Sequence, residues 1–121
     1  MMAALWVGAG GCIGAVARYV LGLLPVNTVF PAITLIINFT GAFLIGLLSG
    51  IAEKQGWPDN VSLFLKTGFC GGFTTFSTFS LETFSLFQQG KATVGVLYAA
   101  GSVFLCLAGV WLGCIMAKTF A

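Results

Sequence analysis

Apolar residues fall into four long blocks along the chain, separated by short interruptions of turn-forming and polar residues. The first block covers 1–24 and carries one charge, Arg18, near its end. Pro25 to Pro31 forms an uncharged break, and the second block, 32–51, has no charged residue. Residues 52–60 hold Glu53, Lys54 and Asp59, with Pro58-Asp59-Asn60 as a turn and helix-start signal. The third block, 61–87, has Lys66 near its start and Glu82 near its end. After a short loop with Lys91, the fourth block, 93–117, is uncharged until Lys118. About 20 apolar residues cross a bilayer as a helix. The pattern therefore predicts one domain over 1–121, an all-α integral membrane protein with four transmembrane helices at about 1–24, 32–51, 61–87 and 93–117.

Small and weakly polar residues line one face of each block. Gly11, Gly14 and Arg18 share a face of the first, and Gly10-x-x-x-Gly14 is a seam for close helix packing. Arg18 reads equally well as a snorkelling anchor or as a structural residue facing protein. Thr34, Asn38, Gly41 and Ala42 share a face of the second block. An Asn inside a span is costly against lipid and should face the bundle. The fourth block carries Tyr98, Ser102, Cys106, Gly109 and Gly113 as a stripe.

The third block is unlike the others. Between Gly68 and Ser80 it packs three glycines, four phenylalanines and five Ser/Thr hydroxyls into thirteen residues. Gly71-Gly72 followed by Thr74-Thr75 predicts a broken helix, with the break over Gly71–Thr74. A break at membrane depth frees backbone N–H and C=O groups that lipid cannot satisfy, so it must be buried in protein or line a wet cavity.

Composition fixes the class. Of 121 residues, 59% are hydrophobic and 7% charged, and mean hydropathy is +1.06. A soluble domain carries about 25% charge. There is no histidine, and the net charge is +2 without a basic patch, which argues against nucleic acid. Cys12, Cys70, Cys106 and Cys114 stand singly, without a C-x-x-C pair, and read as small apolar fillers. The apolar run from Met1 lacks a preceding charge and reads as a retained first span, not a signal peptide.

Four spans put Lys54, Lys66 and Lys118 on one side and Arg18 and Lys91 on the other. Orientation follows the Lys/Arg bias of short loops, and three against two instructs it weakly. Two copies inserted oppositely would form an antiparallel, dual-topology homodimer with its axis in the membrane plane.

No nucleophile–base pair, carboxylate pair or metal-ligand set is present, so an enzyme is not expected. The chemistry on offer is neutral donors and ring edges. Phe76 and Phe79 lie on one face of the half-helix after the break, and an aromatic ring has a positive edge. With the Asn38 amide, such edges suit a small hard anion held weakly enough to leave. Phe64, Phe69, Phe73, Phe84 and Phe87 read as packing. Carbonyls of Gly71 and Thr74, at the end of the first half-helix, suit Na⁺.

Three motifs then carry a family likeness over the whole chain: Gly-x-x-Gly-Ala-x-x-Arg at 11–18, Asn38-Phe-x-Gly-x-Phe-x-x-Gly46, and the long stretch 68–80. The sequence resembles the small fluoride channels called Fluc, or CrcB-like. The resemblance implies a passive, fluoride-selective channel that exports F⁻ to relieve fluoride toxicity. It implies two pores per antiparallel homodimer and a central structural Na⁺ on the carbonyls of Gly71 and Thr74. It assigns fluoride contacts to Asn38, Phe76 and Phe79, and a polar track to Ser77, Ser80 and Ser102. Cys106 stands where that track leads one to expect a hydroxyl. Arg18, Gly72 and Glu82 are expected as structural residues, Glu82 near the pore entrance. Short loops suit a bacterial inner membrane. The alternative is a small four-span, dual-topology multidrug efflux antiporter. That needs a membrane carboxylate, and the one intramembrane acid, Glu82, lies late in its helix.

Overall fold

The computed structural model describes residues 1–120, and every regular element among them is helical. Helix α1 spans Met2–Gly22, α2 Ala32–Gln55, α3 Asp59–Ser62, α4 Gly71–Phe73, α5 Phe76–Gln88 and α6 Ala92–Phe120. Between α3 and α4 lies a π-helical stretch, Leu63–Cys70. Three of these helices, α1, α2 and α6, are long and apolar enough to cross a membrane uninterrupted. The segment expected as the third span is in two pieces, a continuous rod over 59–73 and then α5.

The ends of the elements follow local chemistry. α2 stops at Gly56, whose φ of 62° places it in the left-handed region, and Trp57 N–H closes the end on the Ala52 carbonyl at 3.2 Å. α5 stops before Gly90, the other left-handed glycine (φ 75°), which turns the chain into α6. The helix after the second loop begins at Asp59, directly after Pro58, two residues before the expected start. α2 and α6 run past their expected ends of 51 and 117.

The break is not where the glycines suggested. Gly71-Gly72 remain helical, and the chain extends at Thr74 (φ −85°, ψ 158°) and Thr75 (φ −147°, ψ 120°). The glycine pair has another task. A Cβ on Gly72 would collide with the Gly11 carbonyl, and one on Gly68 would sit 2.7 Å from the Val7 carbonyl. From the other side, a Cβ on Gly10 or Gly14 would collide with the carbonyl of Phe64 or Phe69. Here α1 and the 59–73 rod meet backbone to backbone, so the glycines are spent on approach and keep ordinary helical torsions. β-branched Thr74 and Thr75, which fit extended backbone better than helix, take the break.

The packing partners fix direction. Positions 7, 11 and 14 of α1 meet 68, 72 and 73, so α1 and the rod run parallel. Gly46 meets Val110, Gly50 meets Ala117, and Gly113 meets Phe43, so α2 and α6 run parallel too. Lys54 at the end of α2 donates to the Lys118 carbonyl at the end of α6, 3.1 Å away. The chain between two parallel helices must return to the starting end, and the broken segment makes that return.

Candidate functional site

The break leaves backbone groups that a continuous helix would have paired, and several of them find side-chain partners. Thr75 N–H donates to Asn38 Oδ1 at 2.8 Å, and Asn38 Nδ2 donates to the Thr75 carbonyl at 3.1 Å. The Asn38 amide thus stands in for the missing backbone partners of both the N–H and the C=O of one residue. Gly41, a turn further along α2, makes this possible, because a Cβ there would collide with the Thr74 methyl. Thr74 Oγ1 donates to the Cys70 carbonyl at 2.9 Å. Thr75 Oγ1 accepts from Thr78 N–H at 3.1 Å and caps α5.

Arg18 faces protein. Its Nε donates to the Gly72 carbonyl at 3.1 Å, tying α1 to the last turn of the rod. These contacts occupy the carbonyls of Cys70, Gly72 and Thr75. Gly71 and Thr74, expected as cation donors, have carbonyls that these contacts do not use, as does Phe73 between them. They lie at the C-terminal, electronegative end of the rod, and a Cβ on Gly71 would meet nothing within 4 Å. Hard carbonyl oxygens of this kind fit Na⁺ chemically.

Beyond the break lies a cavity of about 350 Å³. Asn38, Phe76, Phe79 and Ser102 all line it, together with Gly71 and Thr74. The Phe76 and Phe79 rings are 5.6 Å apart and tilted by 46°, and Phe79 lies 5.2 Å from the Tyr98 ring. The structure therefore brings six expected site residues to one space. Ser102 is buried and its hydroxyl has no partner. Asn38 has two amide N–H groups and spends one on Thr75, which leaves one donor.

Ser77 and Ser80 are not brought to this cavity. Both are exposed on α5. Ser80 donates to the Phe76 carbonyl in its own helix at 2.9 Å, and Ser77 sits 3.4 Å from the Thr75 hydroxyl. Phe76 itself is 78% exposed. Among the rings expected as packing, Phe73 is buried and stacks on Phe69 at 5.6 Å. Phe84 instead faces outward, and Phe87, partly exposed, packs over Gly95 of α6.

Glu82, expected as a structural residue, finds partners that the sequence left open. Its two carboxylate oxygens accept from Thr34 Oγ1 at 3.0 Å and from Tyr98 OH at 2.9 Å. Thr34 and Tyr98 are both buried, so one carboxylate joins α2, α5 and α6. The sequence pointed to Thr34 and Tyr98 only as members of polar stripes. Their shared partner emerges from the fold. Glu82, Arg18 and Thr34 also line a second cavity of about 280 Å³ on the α1 side of the break.

The broken segment thus presents two ends of opposite polarity. The rod ends in carbonyls, which suit a cation. α5 begins with the positive end of its dipole, beside ring edges and spare donors, which suits an anion.

Comparison with known proteins shows the family. The family described as "CrcB-like protein, Camphor Resistance (CrcB)" matches residues 5–114. A protein of Ruminiclostridium cellulolyticum named "Fluoride-specific ion channel FluC" is 54% identical over 95% of this chain and 92% of its own length. A protein of Azobacteroides pseudotrichonymphae with the same name is 47% identical over 94% of each. "Fluoride-specific ion channel FluC 1" of Bradyrhizobium diazoefficiens is 45% identical over 95% of this chain and 84% of its own.

Proposed function

This chain belongs to the CrcB-like family, and from that premise we propose that it is a passive channel selective for fluoride. It is a multi-pass membrane protein and not an enzyme, since its relatives are named as ion channels. One observation carries the reading to this chain's own residues. The break at Thr74-Thr75, clamped by Asn38, opens a cavity lined by Asn38, Phe76, Phe79 and Ser102.

Fluoride enters this space without meeting a fixed positive charge. The free Asn38 N–H, the Ser102 hydroxyl and the positive edges of Phe76 and Phe79 replace part of its hydration. Neutral donors hold the ion loosely, as conduction requires. The rod and α5 together complete a fourth crossing.

A single copy leaves Phe76, Ser77 and Ser80 exposed. A second copy against α5 covers them and completes the track, which supports a homodimer. The weak Lys/Arg bias supports opposite insertion of its two copies, with one anion path for each. The carbonyls of Gly71 and Thr74 would hold a structural Na⁺ at the dimer centre, where it neutralises the end of the rod.

The physiological direction follows from acid–base chemistry. Neutral HF crosses membranes and ionises in a less acidic cytoplasm. A negative interior then drives F⁻ outward by about 2.3 kcal/mol per 100 mV. A passive pore in a bacterial inner membrane relieves fluoride toxicity with no further energy source. The antiporter alternative loses ground because both oxygens of Glu82 are already committed to Thr34 and Tyr98.

The deciding experiment is ion efflux from liposomes that contain the purified chain and are loaded with fluoride or with chloride. Fast fluoride and negligible chloride release is the expected result. Equal release of both, or no fluoride release, overturns the proposal.

A further inference from the structure

Two of the four cysteines, distant in sequence, line the same cavity. Cys70 ends the π-helical stretch, and Cys106 lies on α6. Cys106 is one helical turn from Ser102, so their side chains share a face. Ser102 is 6% exposed, and its hydroxyl has no hydrogen-bond partner. Cys106 is half-buried and accessible from the cavity, whereas Cys70 is 2% exposed. The remaining two are placed differently. Cys12 is exposed on α1, and Cys114 donates to the Gly46 carbonyl at 3.5 Å.

We propose that this cavity binds a soft monovalent cation of the Cu⁺ and Ag⁺ class, anchored on Cys106 with Ser102 and Cys70 beside it, and that occupancy closes the anion path. Thiolate sulfur selects soft ions. Among the described residues no three His, Cys, Asp or Glu come together. The class is therefore confined to ions content with two donors, as these d¹⁰ cations are. The chemistry is an exchange without electron transfer. The Cys106 S–H bond breaks, an S–metal bond forms, and the proton leaves to water. A neutral thiol becomes a neutral metal thiolate, so no net charge is added to a poorly solvated space. The bound ion stands beside Ser102, where the proposed fluoride path runs. The closure half of the proposal rests on the fluoride reading. The binding half does not.

The test uses the full chain and silver nitrate in chloride-free buffer. Native mass spectrometry counts bound silver, and Cys106→Ser is expected to bind one ion fewer than the parent. In liposomes, silver at about ten times its Kd leaves about a tenth of the sites free, so fluoride efflux falls about tenfold. Excess thiol restores it. Cys106→Ser, referred to its own silver-free rate, changes less than about twofold under the same mass-action conditions. Cys70→Ala weakens silver binding without removing the Cys106 ion. Equal silver counts in parent and Cys106→Ser overturn the site. Equal block of the two, or full conduction by the silver-bound parent, overturns the closure. A parent that binds silver at Cys106 but moves no fluoride sinks the channel reading and leaves the metal site standing.

Discussion

On one side of Thr74-Thr75 the 59–73 rod lies on α1 with backbone against backbone. On the other, α5 meets α6 through side chains: Phe79 against Tyr98, Glu82 to Tyr98, and Phe87 over Gly95. The same segment thus makes two kinds of contact within thirty residues. The first kind uses Gly10, Gly14, Gly68 and Gly72 to remove all intervening space. In lipid, where apolar surface alone does not drive helices together, such approach is how packing is gained. The second kind leaves a cavity, an unpartnered Ser102 hydroxyl and an exposed Phe76. The tight half gives a fixed frame, and the loose half retains groups free to meet an ion.

The sharpest way to break this contrast is a single methyl group. Gly14→Ala places a Cβ on the Phe69 carbonyl and 2.9 Å from Phe73 N. Both neighbours are backbone and cannot swing aside, so α1 must move off the rod. Overpacking of this kind costs about 1–3 kcal/mol or more, and the move also strains the Arg18–Gly72 bond. Gly14→Ala should aggregate or unfold on size-exclusion chromatography in detergent. Gly8→Ala, on the same helix and with nothing within 4 Å of its Cβ, should run as the parent. Equal behaviour of the two would mean that the seam is not what holds the rod.

Next in size is Asn38→Asp. The carboxylate still accepts from Thr75 N–H but cannot donate to the Thr75 carbonyl, and it faces that oxygen with like polarity. A lost bond with a buried acceptor left over costs about 1–3 kcal/mol. The added negative charge also stands in the proposed anion path. The thermal midpoint should drop, and fluoride efflux should fall further than for Asn38→Ala, which adds no charge. Parent-like efflux from Asn38→Asp would remove the residue from the path.

Phe79→Ile tests the loose half alone. Isoleucine fills much of the ring's volume but has no positive edge. Aromatic geometry is worth about 0.5–1.5 kcal/mol beyond area, so fluoride efflux should drop by up to about tenfold with the chain still folded. A conducting Phe79→Ile would reduce that ring to packing.

These residues also show what a sequence can carry. The helices were legible because length and apolarity define a span. The site cluster was legible in outline because hydroxyls and amides are rare at membrane depth. The break was misplaced by its glycines: Gly71-Gly72 looked like a hinge, and Gly72 is needed instead for contact with Gly11, a neighbour remote in sequence. The π-helical register of Leu63–Cys70 leaves no compositional mark. Arg18 was evenly poised between lipid and protein until the Gly72 carbonyl decided it. Ser77 and Ser80 carried the right chemistry, but in one copy their helix face points away from the cavity.

The smallest expected effect is the most discriminating. Ser102 stands buried without a hydrogen-bond partner, a state that costs stability unless something else satisfies the hydroxyl. Ser102→Ala removes the group and its desolvation penalty together. If the hydroxyl is idle, the variant should gain up to about 1 kcal/mol, read as a higher thermal midpoint, with unchanged fluoride efflux. If the hydroxyl serves a passing anion, stability should still rise, but efflux should fall by several-fold. The loose half would then have traded stability for conduction, whereas the glycine seam yields no such opposition at any of its positions. A fall in both stability and efflux would show that Ser102 already has a partner in the assembled channel, and that the loose half is packed as tightly as the frame.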